Sequence, residues 1–161
     1  LIAPQAVLIY LLAYMLATIG AFCVVIAVSN CENSDDLTAY EGLGKRNPFV
    51  SFCLTVFFLS LIGIPPLAGF IGKLYLFGSA IDQNMLWLAV FGIVNSVISL
   101  YYYFKVVRNM YFMPNKSDIK VDPQMPLFTV LLICLIGTFG IGIFPQYLID
   151  FIRNYALVFI R

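Results

Sequence analysis

Long apolar runs, separated by short polar stretches, set the pattern of the chain. The first run extends from about Pro4 to Val28, with Thr18 as its main polar interruption. A polar stretch from Asn30 to Asn47 follows and carries Glu32, Asp35, Asp36, Glu41, Lys45 and Arg46. The second run spans Pro48 to Ile81 and the third about Met85 to Phe112. A further polar stretch holds Lys116, Asp118, Lys120 and Asp122, with Pro114, Pro123 and Pro126 as helix breakers on either side. The fourth run begins at Leu127 and closes near Phe144, before Pro145. About 20 apolar residues in a helix cross a ~30 Å hydrocarbon core. The pattern therefore predicts an all-α, polytopic transmembrane bundle of about four spans, at 4–28, 48–81, 85–112 and 127–144, forming a single domain over residues 1–161. The tail 146–161 mixes apolar residues with Asp150, Arg153 and Asn154, the composition of an interfacial helix.

The second run is too long for one straight helix, which at 1.5 Å per residue would reach about 50 Å. Near its middle stands Gly63-Ile64-Pro65-Pro66, followed by Gly69 and Gly72. The prolines donate no backbone hydrogen bond and disfavour helical geometry in the residue before each. A discontinuous helix, broken near 63–66, is the expected result. Such breaks are tolerated at membrane depth only where protein or water satisfies the freed backbone groups, and they recur at transporter ion sites.

Lys73 follows the break and is the only charged residue between Arg46 and Asp82. Nine residues of helix back from Asp82 place it roughly 13 Å deep, near the midplane. A lysine there costs at least ~2.5–3.5 kcal/mol on insertion scales. Burial and nearby carboxylates shift a lysine's proton affinity in opposite directions, so a buried lysine changes charge state when its surroundings change. Lys73 is the candidate proton-transfer residue. The alternative is a structural lysine tied to backbone carbonyls of the broken helix. Asn95, Ser96, Ser99, Tyr101, Tyr102 and Lys105 of the third span are candidate path-lining residues. Taken alone, Asn95, Ser96 and Ser99 are more often ordinary helix–helix contacts.

Composition narrows the chemistry. Hydrophobic residues form 62% of the chain and charged residues 11%, against about a quarter charged in soluble domains. The net charge of +1 offers no nucleic-acid footprint. Histidine is absent, which removes the commonest general base and metal ligand. Cys23, Cys31, Cys53 and Cys134 show no C-x-x-C spacing and read as small buried hydrophobes, and no nucleotide-binding loop is present. No cofactor, metal or catalytic site is expected in this chain, and any redox chemistry belongs to partners.

Lys45, Arg46, Arg108, Lys116 and Lys120 gather on the side of the loops at 30–47 and 113–125, while Arg153 and Arg161 lie on the other. That asymmetry points the loops to the cytoplasmic or matrix side. Trp87 and the Tyr101-Tyr102-Tyr103 cluster lie about 22 Å apart along one helix, the spacing of two aromatic belts, although one or two of these tyrosines also suit interhelical packing. The chain starts at Leu1, already inside an apolar run, and is expected to be a piece of a larger protein.

The stretch Leu59-Ser60-Leu61-Ile62-Gly63-Ile64-Pro65-Pro66-Leu67-Ala68-Gly69-Phe70-Ile71-Gly72-Lys73 resembles the broken-helix motif of antiporter-like subunits of respiratory complex I, relatives of Mrp-type sodium/proton antiporters. Two further stretches, Gly42-Leu43-Gly44-Lys45-Arg46-Asn47-Pro48 and Asn95 to Arg108, resemble the NADH–quinone oxidoreductase subunit N family, with mitochondrial subunit 2 as counterpart. The resemblance implies a fold of around fourteen helices built from two inverted repeats, of which this chain is the C-terminal portion. Lys73 matches that family's membrane-centre lysine. The sister subunit M family typically carries glutamate there, so Lys73 favours N.

The family's first-repeat glutamate and lysines, and the lysine of a middle helix, have no counterpart here. A full proton route is thus not expected within this chain alone. The expected role is a non-redox, proton-translocating membrane subunit of NADH–quinone oxidoreductase in a bacterial inner membrane, or alternatively a mitochondrial one. NADH, FMN, iron–sulfur clusters and quinone would sit in partner subunits. Other membrane subunits, the remaining helices of the same subunit and lipid are the expected contacts. An Mrp-type sodium/proton antiporter subunit and a structural membrane spacer are the rival readings.

Overall fold

The computed structural model describes residues 3–115, 121 and 125–155. Helix α1 (Ala3–Glu32) is followed by a 3₁₀ turn (Leu37–Tyr40) and a short α2 (Leu43–Arg46). Helices α3 (Pro48–Ile62) and α4 (Ala68–Asp82) flank the break, and α5 (Leu86–Phe112), α6 (Met125–Ile143) and α7 (Pro145–Tyr155) complete the order. Three of these, α1, α5 and α6, are long and apolar enough to cross a membrane singly. Helices α3 and α4 are too short for that and cross in series as the discontinuous span. The observed bounds lie within a few residues of the runs read from sequence. The residues Lys116, Asp118, Lys120, Asp122 and Arg161, which entered the charge count, lie outside the described residues.

Helix α1 forms the centre, packing on α3, α4 and α6 and most extensively on α4. Its inward face is a seam of small residues at helical spacing, with Ala6, Ala13, Ala17, Ala21 and Ala27 buried beside Ile9, Val24 and Val28. In lipid the hydrophobic effect does not draw helices together, so close backbone approach through small residues supplies the packing. The opposite face of α1 exposes Leu8, Leu11, Met15, Ile19, Phe22 and Ile26. Apolar exposure of this kind suits contact with acyl chains or with further helices.

The segments expected on one membrane side do meet. Asn47 bonds Val121 twice, donating from Nδ2 to the carbonyl at 2.6 Å and accepting the amide at Oδ1 at 2.8 Å. The Gly42 amide donates to the Asn109 carbonyl at 3.1 Å. An ion pair joins Arg46 to Glu32, with both side chains nearly buried, and Arg46 also donates to the Ala39 carbonyl. At the opposite end α7 returns onto α1, setting Ile149 and Ile152 against Ile9 while Tyr147 and Phe151 stay exposed. This one-sided apolar face fits an interfacial helix. The rest of the expected tail, 156–161, lies outside the described residues.

Candidate functional site at the helix break

The break is built by local backbone chemistry. Helix α3 ends at Gly63, which holds φ 95° and ψ 45°, a left-handed conformation that glycine adopts without steric cost. The last four carbonyls of a helix lack partners inside it. Here the Leu59 carbonyl accepts the amides of Gly63 and Ile64, each at 3.0 Å. The Ser60 hydroxyl accepts the Gly69 amide at 3.0 Å, which satisfies one donor at the start of α4. A Cβ on Gly69 would collide with the Ser60 carbonyl, so only glycine lets the two half-helices lie this close. Pro65 and Pro66 open the chain without leaving amides to satisfy. The peptide bond between them is cis. Helix α6 closes over the break, with Gly142 against Pro66 and Leu67, and Gly72 packs on Tyr10 and Ala13 of α1.

The last two carbonyls of α3, those of Leu61 and Ile62, go to Lys73. From the second turn of α4 its Nζ donates to Leu61 O at 2.8 Å and Ile62 O at 3.0 Å. A third bond runs to Ser96 Oγ on α5 at 2.7 Å. An ammonium has three donors and all are used. The side chain is half-buried, and it folds back to the C-terminus of α3, whose negative dipole end favours a cation. The alkyl stem runs beside Gly63, where a Cβ would sit 3.0 Å from Lys73 Cδ.

Lys73 borders a cavity of about 800 Å³ between α1, α3, α4 and α5. Its polar lining includes Ser60, Asn95, Ser96, Ser99 and Tyr102. Among the described residues that line it there is no carboxylate. Lys73, Phe77 and Ser96 also border a second, apolar cavity of about 260 Å³.

Of the path-lining candidates, Asn95, Ser96, Ser99 and Tyr102 are thus brought together with Lys73. Tyr101 and Lys105 are not; both are exposed away from the cavity. Helical geometry explains the split. At about 100° per residue, Lys105 lies roughly 180° around α5 from Ser96 and Tyr101 roughly 140°. Tyr103, by contrast, stacks on Phe58 at 4.6 Å, an interhelical contact, and lines the cavity. Three lining groups went unread in the sequence. Ser60 is hidden in an apolar run. Tyr10 and Tyr14, stacked at 5.9 Å on α1, carried a signal in their four-residue spacing.

A bundle with a discontinuous helix and a half-buried lysine bonded to the break is the architecture expected of an antiporter-like membrane subunit. The profile of the NADH:quinone oxidoreductase/Mrp antiporter transmembrane family matches residues 1–99, and the chain belongs to this family. It is 41% identical over 145 residues to NADH-quinone oxidoreductase subunit N of Desulfitobacterium hafniense, covering 88% of this chain and 28% of that protein. It is 38% identical over 163 residues to F(420)H(2) dehydrogenase subunit N of Methanosarcina mazei, covering 95% of this chain and 33% of the relative. A chain in the structure of respiratory complex I from Thermus thermophilus with bound aureothin superposes with a TM-score of 0.74 at 28% identity, over 91% of this chain and 34% of that one. The chain thus spans about a third of the length of the relatives it matches.

Proposed function

We propose that this chain is part of the proton-translocating membrane arm of an NADH–quinone-oxidoreductase-type complex, with Lys73 as a proton-loading site. The observation that carries the reading is the lysine itself. It is half-buried, held by the end of a broken helix, and open to a cavity with a hydroxyl-rich lining. Redox-driven charge changes elsewhere in the complex would alter the field at Lys73, so that its proton leaves to one side and is replaced from the other. In this reading the chain itself carries no redox centre. NADH, FMN, iron–sulfur clusters and quinone belong to partner subunits, and the location is a bacterial inner membrane. The subunit N relatives support a redox-linked complex over the Mrp branch of the family, whereas the F(420)H(2) relative leaves the electron donor open.

The test is redox-driven proton pumping in vesicles carrying the assembled complex, with Lys73→Met in the full-length subunit. Electron transfer per assembled complex should persist while pumping per assembled complex falls. Normal pumping in an assembled variant would remove the role. A second reading has its own observation: three hydrogen bonds make Lys73 a fitting anchor between α3, α4 and α5. If Lys73 is an anchor alone, Lys73→Met pumps normally per assembled complex, however much complex assembles.

A further inference from the structure

We propose that Ser96 relays the proton between Lys73 and the large cavity, which deepens the reading of Lys73 given above and rests on it. The hydrogen-bond directions around Ser96 are fixed by chemistry. An ammonium only donates, so Ser96 Oγ accepts from Lys73 Nζ at 2.7 Å. A carbonyl only accepts, so Ser96 Oγ donates its proton to Gly92 O at 2.9 Å. The hydroxyl is therefore poised between the lysine and a partner it can release. Gly92 O sits inside α5, where the ordinary i+4 amide also bonds it, so it is not orphaned when the hydroxyl turns away.

The step balances. The Ser96 hydroxyl swings from Gly92 O towards a water in the cavity. The Nζ–H bond to Ser96 breaks and a new Oγ–H bond forms, while the old Oγ–H bond breaks and its proton passes to that water as hydronium. What remains is a neutral amine. Its two N–H groups still serve Leu61 O and Ile62 O, and its lone pair accepts the Ser96 hydroxyl. The Leu61 and Ile62 carbonyls and the lysine nitrogen keep their partners before and after, so the step orphans none of them. Running backwards, the same step reloads the lysine. The cavity is large and polar enough to hold water, with Ser60, Asn95 and Ser99 in its wall. Among the described residues, the titratable groups that face the site are the phenols of Tyr10 and Tyr14 on α1 and of Tyr102 and Tyr103 on α5. Ser99 turns its own hydroxyl to Ser96 O at 2.7 Å, which leaves Ser96 as the hydroxyl in direct contact with Nζ.

The test compares Ser96→Thr with Ser96→Val in the full-length subunit of the assembled complex, because the two side chains share a shape and differ by the hydroxyl. Cavities on both sides of Ser96 leave room for the added methyl group. Thr should keep redox-driven pumping near the wild-type rate, and Val should lower it about tenfold or more at equal assembly and electron transfer. Equal pumping by Thr and Val would overturn the relay. If either fails to assemble, Ser96→Ala against wild type gives the same comparison without added volume. Lys73→Met, measured alongside, separates the two claims. Loss of pumping there with a fully active Val variant removes Ser96 alone, and normal pumping in Lys73→Met removes both.

Discussion

Replacing Gly63 with alanine probes how the break positions Lys73. Two effects follow from the local geometry. A residue with a Cβ held at φ 95° costs about 1–2 kcal/mol relative to glycine. The new Cβ also lies 3.0 Å from Lys73 Cδ and 3.7 Å from Nζ, so the lysine stem must give by a few tenths of an ångström. That shift stretches bonds of 2.7–3.0 Å whose charged donor makes each worth about 1.5–3 kcal/mol. The expected total is about 2 kcal/mol, roughly a thirtyfold change in the folded-to-unfolded ratio. Gly63→Asn separates the two parts, because asparagine tolerates the left-handed region while bringing the same Cβ. In mixed micelles titrated with SDS, the full-length subunit should lose stability in the order Gly, Asn, Ala. Pumping by the assembled complex should fall in both variants, since both displace the lysine. An alanine variant as stable and as active as wild type would refute this account of the break.

Two predictions concern the loops on the basic side. Burial, and then the negative charge of Asp35, push the Tyr40 phenol above its ordinary value of 10.0. A raised value in the folded state means stability that is intact below about pH 10 and lost as pH rises through the folded value; Tyr40→Phe should flatten this alkaline decline, and identical melting curves for both proteins above about pH 10 would disprove it. Asn47→Ala removes both bonds to the buried Val121 backbone, at about 1–3 kcal/mol for each orphaned group. Hydrogen exchange at the Val121 amide should quicken by about tenfold or more, and unchanged protection would count against the contact.

Periodicity and punctuation carried much of the architecture. Four apolar runs and the glycines and prolines at 63–66 sufficed for the bundle and the break, and the single charge in that run picked out Lys73. What Lys73 touches was not legible beyond the general possibility of carbonyls, because its partners lie 11, 12 and 23 residues away and depend on how α4 sits beside the end of α3. Grouping α5 residues by closeness in sequence brought in Tyr101 and Lys105, whereas counting 100° per residue separates them from Ser96. Ser60 was invisible for another reason. A serine in an apolar helix has no signature until the amide that it accepts, Gly69, is folded onto it.

The anchor and the relay are not alternatives that Lys73→Met alone can divide. Methionine removes the transferable proton, and it also strips the Leu61 and Ile62 carbonyls of their donors at membrane depth. Each orphaned carbonyl costs about 1–3 kcal/mol, enough to lower assembly whether or not protons move through this lysine. Lys73→Gln separates the functions. Its amide offers two N–H donors for the same two carbonyls, but it takes up no proton at physiological pH. The glutamine side chain is one atom shorter, so some loosening of the break is expected, and the comparison is made per assembled complex. A glutamine variant that assembles better than methionine and still does not pump assigns the carbonyl bonds to folding and the proton to transport. A glutamine variant that assembles and pumps as wild type leaves Lys73 an anchor and no more. The geometry favours the first outcome, because the third bond, to Ser96, adds nothing the two carbonyls need and leads instead into the polar cavity.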